Sequence, residues 1–147
     1  MERISKNFTM SEFAASPTAQ QRGIDNTIPV NVKPAIRALV HGVLQPLRTS
    51  FGLPCIVTSG YRSHALNAAV GGATNSQHIH GEAADCALMR AGARIPVIEI
   101  ARRLVDLDLP FDQIVLYDNN RIHISHTVQR TNRRDVRYHS SYRGERL

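Results

Sequence analysis

Two short segments constrain this chain more than anything else in it: Ser76-Gln77-His78-Ile79-His80-Gly81-Glu82-Ala83-Ala84-Asp85 and, much later, His123-Ile124-Ser125. Four of the seven histidines, His78, His80, His123 and His126, fall in or beside them. Together they offer two imidazoles and a carboxylate, the donor set of an open zinc (Zn2+) site. A catalytic zinc takes three protein ligands and keeps one position for water, and His nitrogen with Asp oxygen suits that ion. Any fold that uses this set must bring residues 78, 85 and 123 to one point. Gly81 permits a sharp bend, so His78 can come from a loop while Asp85 stands on the strand that follows. Convergence of the three points to a metallohydrolase.

The spacing of apolar residues supplies elements for such a meeting. Residues 8–13 read as a helix start, capped by Thr9 or Ser11 and stapled by Phe8 and Phe13. Residues 16–32, rich in Pro, Gly, Asn, Gln and Thr, read as an ordered connector with turns. Pro34 suits a first helical turn, and Ile36, Leu39, Val40, Val43, Leu44 and Leu47 continue one apolar stripe to about Thr49. Pro46 should kink or tighten the last turn of that helix. A β-branched run at 54–58 predicts a strand, 63–70 a short helix stopped by Gly71-Gly72, and 82–88 a strand carrying Asp85. Residues 95–107 show a single apolar helical face. Residues 113–117 and 121–125 flank Asp118-Asn119-Asn120 and predict a hairpin, which puts His123 on a strand near that of Asp85. The sum is an α+β single domain, a small antiparallel sheet with helices packed on it. No internal repeat is visible.

At 147 residues and 42% hydrophobic content the chain can bury one good core. No apolar run approaches the ~20 residues that cross a bilayer, and residues 1–13 carry no apolar signal segment. The expectation is synthesis in the cytoplasm. Cys55 and Cys86 lie in or beside strand-like runs and read as small buried hydrophobes. The net charge of +6 is uneven, because six arginines (Arg130, Arg133, Arg134, Arg137, Arg143 and Arg146) crowd the last eighteen residues. Such a run is a solvated, partly disordered tail or an attraction for an anionic polymer, either nucleic acid or the acidic bacterial envelope. Tyr138 and Tyr142 are the only aromatics there for stacking bases, so nucleic acid is disfavoured as a partner.

The motifs also line up as a set. Ser59-Gly60-Tyr61-Arg62-Ser63, Leu66-Asn67, Val70-Gly71-Gly72, Ser76-x-His78-x-x-Gly81-x-Ala83-x-Asp85, Phe111-Asp112-Gln113 and His123-Ile124-Ser125 resemble the zinc D-alanyl-D-alanine carboxypeptidase family. That family includes phage endolysins and vancomycin-resistance dipeptidases and shares the fold of hedgehog signalling domains. The resemblance runs over about residues 5–138, which implies a peptidase domain at 1–138 and a basic tail at 139–147. It implies zinc ligands at His78, Asp85 and His123. It also implies an anion clamp at Arg62 for a substrate carboxylate or developing oxyanion, substrate or ligand contacts from Ser76, and support of the site by Gln113. The implied substrates are stem or cross-bridge peptides of peptidoglycan, cut by a monomer released to the cell wall or carried in a virion.

One position departs from that family. Relatives place a general base three residues (Glu) or two residues (His) before the last ligand, and here Asn120 and Arg121 stand there. Neither accepts a proton from metal-bound water. Asp118, His80 and His126 are the substitutes within reach in sequence, and Tyr117 is a possible electrophilic donor. Two other readings follow: a module that keeps the metal fold and binds wall peptides with little turnover, and a nucleic-acid binder. The last explains the arginines but leaves the His–Asp–His set unexplained.

Overall fold

A computed structural model describes residues 2–147. The chain opens with a small hairpin of β1 (Arg3–Ser5) and β2 (Phe8–Thr9), followed by the helix α1 (Met10–Ala14). Glu12 accepts the Thr9 N–H at 2.6 Å, and the Phe8 and Phe13 rings, 6.5 Å apart, are both fully buried. The capping and staple expected from sequence are both there.

Residues 16–32 depart from expectation, because α2 (Pro17–Arg22) forms inside the predicted connector. The Ser16 hydroxyl accepts from the Ala19 N–H at 3.2 Å, Pro17 opens the first turn, and Gly23 closes it with φ 65°. Those are ordinary helix-start and helix-stop residues, hidden by the polar composition around them.

Next, α3 (Lys33–Leu39) runs through a π-helical turn, Val40–Leu44, into α4 (Gln45–Phe51). Pro46 lacks an N–H, and its ring crowds the carbonyl four residues earlier. The wider turn just before it absorbs that clash, with Gln45 N–H bonded to the Val40 carbonyl. Proline therefore widens the turn ahead of it, where a kinked or tightened last turn was expected. The apolar stripe stays intact: Ile36, Leu39, Val40, Val43, Leu44 and Leu47 show no exposure.

The remainder builds the main sheet. Its strands are β3 (Cys55–Ser59), β4 (Ala83–Arg90), β5 (Ala93–Arg94), β6 (Gln113–Leu116), β7 (Ile122–Ser125) and β8 (Asp135–Tyr138). Helix α5 (His64–Ala69) follows β3, and α6 (Val97–Asp106) follows β5. The order is β3-β4-β7-β6-β8, with β5 turning back on the far end of β4. All pairs are antiparallel except β6 with β8. That parallel edge strand lies in the arginine-rich end, so those residues belong to the sheet and are not a free tail at 135–138. Asn119 and Asn120 turn the predicted hairpin with φ of 57° and 51°, a conformation asparagine tolerates better than most residues.

The sheet has two unlike faces. Ala84, Cys86, Leu88, Ile114, Leu116, Ile122 and Ile124 point into one cluster with the stripes of α3, α4 and α6. Period-two alternation then sends Asp85, Gln113, Val115, Tyr117, Arg121 and His123 to the opposite face. Both cysteines are free thiols, Cys86 buried and Cys55 partly so.

Asn26 locks the loop after β3 to this frame. Its buried amide donates to the carbonyls of Ala14 (2.9 Å) and Tyr61 (3.0 Å) and accepts the Ser63 N–H at 2.8 Å. Those contacts bracket Arg62. Asn26→Ala strands three backbone groups, and a loss of about 2–3 kcal/mol in equilibrium denaturation is expected.

Candidate metal centre

Asp85 and His123 are register partners on the neighbouring central strands β4 and β7. His78 reaches them from the loop between α5 and β4. That loop closes through Gly81 at φ 71°, where an added Cβ would lie 2.6 Å from Val32 Cγ1 and 3.0 Å from Ile36 Cγ1. Only glycine satisfies both the backbone angle and that approach. The glycine seen in the sequence as a bend is thus a packing point against the start of α3.

The three side chains meet. One ligand atom from each of His78, Asp85 and His123 lies within 4.8 Å of the other two. His78 Nε2 is 3.4 Å from Asp85 Oδ1, and His123 Nδ1 is 3.2 Å from the same oxygen. Bonds of about 2.0–2.1 Å at tetrahedral angles place neighbouring donors about 3.3 Å apart, so these separations fit the edges of a metal's coordination tetrahedron. His78 Nδ1 lies 2.7 Å from the Gly60 carbonyl, and an N–H donated there leaves the Nε2 lone pair for an ion. His78 and Asp85 are 3% exposed, while the His123 side chain is 13% exposed and faces the cavity. The donor set, its spacing and its oriented imidazole fit a divalent metal.

Asp85 stays ionised in this setting. Burial alone would raise its pKa, but its hydrogen-bonding contacts with the His123 and His78 rings outweigh it, holding the carboxyl well below its usual range. Two guanidinium groups add to the field: Arg62 Nη2 at 3.6 Å and Arg121 Nη1 at 3.5 Å from Oδ2. Arg62 is itself held by Ser59 (3.1 Å) and Asn67 (3.3 Å).

The centre opens into a cavity of about 780 Å³. Arg62, Ser76 and Gln113 line it, as expected from sequence. Ser76 accepts the His78 N–H at 3.2 Å, which braces the ligand loop, and Gln113 donates to Asp135 at 3.0 Å. The three candidate bases do not line it. His80 is exposed, two residues past His78 around the turn, with Nε2 3.3 Å from Asn75. Asp118 sits at the exposed hairpin tip beside a separate hollow next to Pro96 and Tyr142. His126 continues the core-side alternation of Ile122 and Ile124, with its ring 2.7 Å from the Pro110 carbonyl.

In their place the cavity presents Tyr117, which the sequence offered as an electrophilic donor, and several groups that the motif did not single out as functional. Arg121 shares a strand face with His123, a period-two relation already present in the sequence. Its guanidinium covers the Tyr117 ring at 4.2 Å, and His139 stacks on Tyr117 at 4.6 Å. Burial pushes the Tyr117 phenol above its ordinary pKa, so it stays a donor. Arg130 and Arg133 form another wall. Nothing local marks them, because their partner Asp112 lies 18 and 21 residues away.

Asp112 is fully buried and accepts from both guanidinium groups, at 2.6 and 3.0 Å from Arg130 and at 2.9 and 3.2 Å from Arg133, with the Arg133 N–H (2.9 Å) and Gln77 (3.1 Å) besides. Arg134 pairs with Asp108. These arginines are structural partners as well as surface charge. Burial works to raise the Asp112 pKa, and the hydrogen bonds of Arg130 and Arg133 overcome it, so the carboxyl titrates well below its normal range. Its stabilisation is therefore complete above the unfolded value of about 3.9 and fades as pH falls below that. Denaturation across pH should show Asp112→Ala costing about 3–5 kcal/mol at neutral pH, with the gap from wild type closing below about pH 4.

For the metal, free zinc held at a hundred times its Kd should raise the unfolding free energy by about 2.7 kcal/mol. His78→Ala should abolish that gain and the bound metal in elemental analysis, while the fold persists by circular dichroism.

No curated protein matches this chain. The family model described as Peptidase M15 matches residues 6–125, a span that begins before α1 and ends at the close of β7, with all three clustered donors inside it. With well over half of its length matched and these donors gathered on one sheet face, the chain belongs to the Peptidase M15 family.

Proposed function

We propose that this protein is a zinc-dependent peptidase that hydrolyses peptide bonds in bacterial peptidoglycan, as a D-alanyl carboxypeptidase or an endopeptidase. The observation that carries this reading is the His78–Asp85–His123 cluster at tetrahedral spacing, opening onto a cavity. His78 Nε2, a carboxylate oxygen of Asp85 and His123 Nδ1 would hold the ion. When bound, zinc lowers the pKa of a water to about 7 and polarises a carbonyl.

The chain's own residues supply the rest. Arg62 and Arg121 place two permanent positive charges beside the ligands, suited to a substrate carboxylate or the oxyanion of an attacked carbonyl. Tyr117, protonated at neutral pH, offers a further donor on the same face.

A second reading has a specific observation behind it. Among the described residues Asp85 is the only carboxylate lining the cavity, and Asn120 Oδ1 is taken up by the Val97 N–H at 3.4 Å. A positioned base is worth about 10²–10⁴-fold in rate. The alternative is thus a weakly catalytic or inactive module that binds wall peptides.

Purified peptidoglycan, incubated with the zinc-loaded protein, should release D-alanine or new amino groups. Chelator should stop this, and zinc should restore it. Arg62→Ala should lower kcat/KM by about 10²-fold with metal content unchanged. Absence of chelator-sensitive release across several wall chemotypes would favour the binding module instead.

A further inference from the structure

The cavity carries four guanidinium groups against the one carboxylate of Asp85, and they fall into two pairs. Arg62 and Arg121 flank Asp85. Arg130 and Arg133 stand apart from them, fixed on buried Asp112 at the start of β6. Strand register gives the separation. From Asp85 the sheet crosses two strand spacings to Val115, then runs two residues along β6 to Gln113. With spacings of about 4.8 Å and a rise of about 3.3 Å per residue, the backbone positions 85 and 113, beside which the two pairs are anchored, lie roughly 12 Å apart.

Arg130 and Arg133 have the form of a preorganised anion site. Their side chains remain 47% and 49% exposed although the carboxylate beneath them is wholly buried. Bidentate contact to Asp112 fixes both planes and uses only their inner edges. Among the described residues, Nε of Arg130 and Nη1 of Arg133 make no hydrogen bond. Glu82 lies near enough to act on Arg130 and Asp135 near enough to act on Arg133, yet both carboxylates are engaged elsewhere, Glu82 by the Thr127 hydroxyl and Asp135 by Gln113 and Arg137, and neither lines the cavity. Both arginines follow β7 in the chain and reach the cavity from the segment that leads into β8.

We propose that Arg130 and Arg133 form a second anionic subsite, which binds a free carboxylate of the peptide substrate two to three residues from the bond at the metal centre. This rests on the peptidase reading and sharpens it: the preferred substrate is an acidic peptide, anchored at both ends of the cavity. An extended chain covers about 3.3 Å per residue, so such a carboxylate spans the two pairs once side-chain reach is included. Holding both ends converts recognition of the distant group into positioning of the scissile bond.

The test uses the full-length, zinc-loaded protein and two peptides that share a reduced, non-hydrolysable linkage at the scissile position. They differ only in having a carboxylate or a primary carboxamide two residues away. Calorimetry should give the acid form about tenfold tighter binding, as expected for a charge-assisted, bidentate contact. Arg130→Gln and Arg133→Gln, made separately, each leave Asp112 one bidentate partner. Each should bring the ratio of acid to carboxamide affinity close to one, with the loss falling mainly on the acid peptide. Equal affinities for acid and amide in the wild type would overturn the proposal, even if neither variant folds. Retention of the preference in both folded variants would also overturn it. So would a generic oligonucleotide that displaces the acid peptide at lower concentration, since the pair would then be reading phosphate on a polymer. Hydrolysis of the ordinary amide-linked peptides is followed in parallel. Acid-selective binding without chelator-sensitive cleavage would sink the peptidase reading and leave the subsite standing.

Discussion

The pairing of Asp85 with His123 across β4 and β7 is the contact on which the site depends. Side chains alternate along a strand, so a one-residue slip would turn both groups into the helix-covered core and put apolar residues in the cavity. The core prevents this. Ala84, Cys86, Ile122 and Ile124 are fully buried on the other face, and exchanging them for Asp85 and His123 would bury a carboxylate among α3, α4 and α6. The hydrophobic effect thus fixes the register, and the register fixes the metal donors.

A buried carboxylate is costly unless it is paired and hydrogen-bonded, and this fold contains two beside its cavity. Asp85 is compensated by imidazoles and two arginines, all but the deeper His78 reaching it from the open side. Asp112 is compensated by arginines that arrive after β7 and tie the final strand to the sheet. The backbone follows the same logic, since Asp112 N–H bonds Ser125 and its carbonyl accepts from Asp135. One carboxylate is arranged for chemistry and the other for architecture, and both depend on arginine.

Much of this was legible in the sequence, and the reasons are physical. Stripes at helical spacing gave α3, α4 and α6, and the β-branched run with its turn residues gave β3 and the β6–β7 hairpin. The donors His78, Asp85 and His123 stood out because few residue types bind metal. What escaped was set by contacts distant in sequence. Helix α2 was masked by polar composition, although Ser16, Pro17 and Gly23 marked its ends. Strand β8 was hidden in an arginine-rich stretch, because its pairing with β6 and the capture of Asp112 cannot be seen locally. His80, Asp118 and His126 attracted notice through nearness in sequence to the ligands. Strand alternation and turn geometry carry them elsewhere.

The cavity draws its lining from two parts of the sheet that are held in different ways. The metal donors and Arg62 lie within residues 6–125, whereas Arg130, Arg133 and His139 reach the same cavity from the chain that follows. The second wall is held mainly through Asp112, the parallel pairing of β8 and packing by Val136 and Tyr138. Replacing outward-facing groups on that wall costs little core packing, because those side chains are half-exposed. Altering Asp85 or His123 would disturb both the register and the donor set. The clustered donors are therefore tied to the register at the centre of the sheet, whereas the arginines at its edge are tied to it through Asp112.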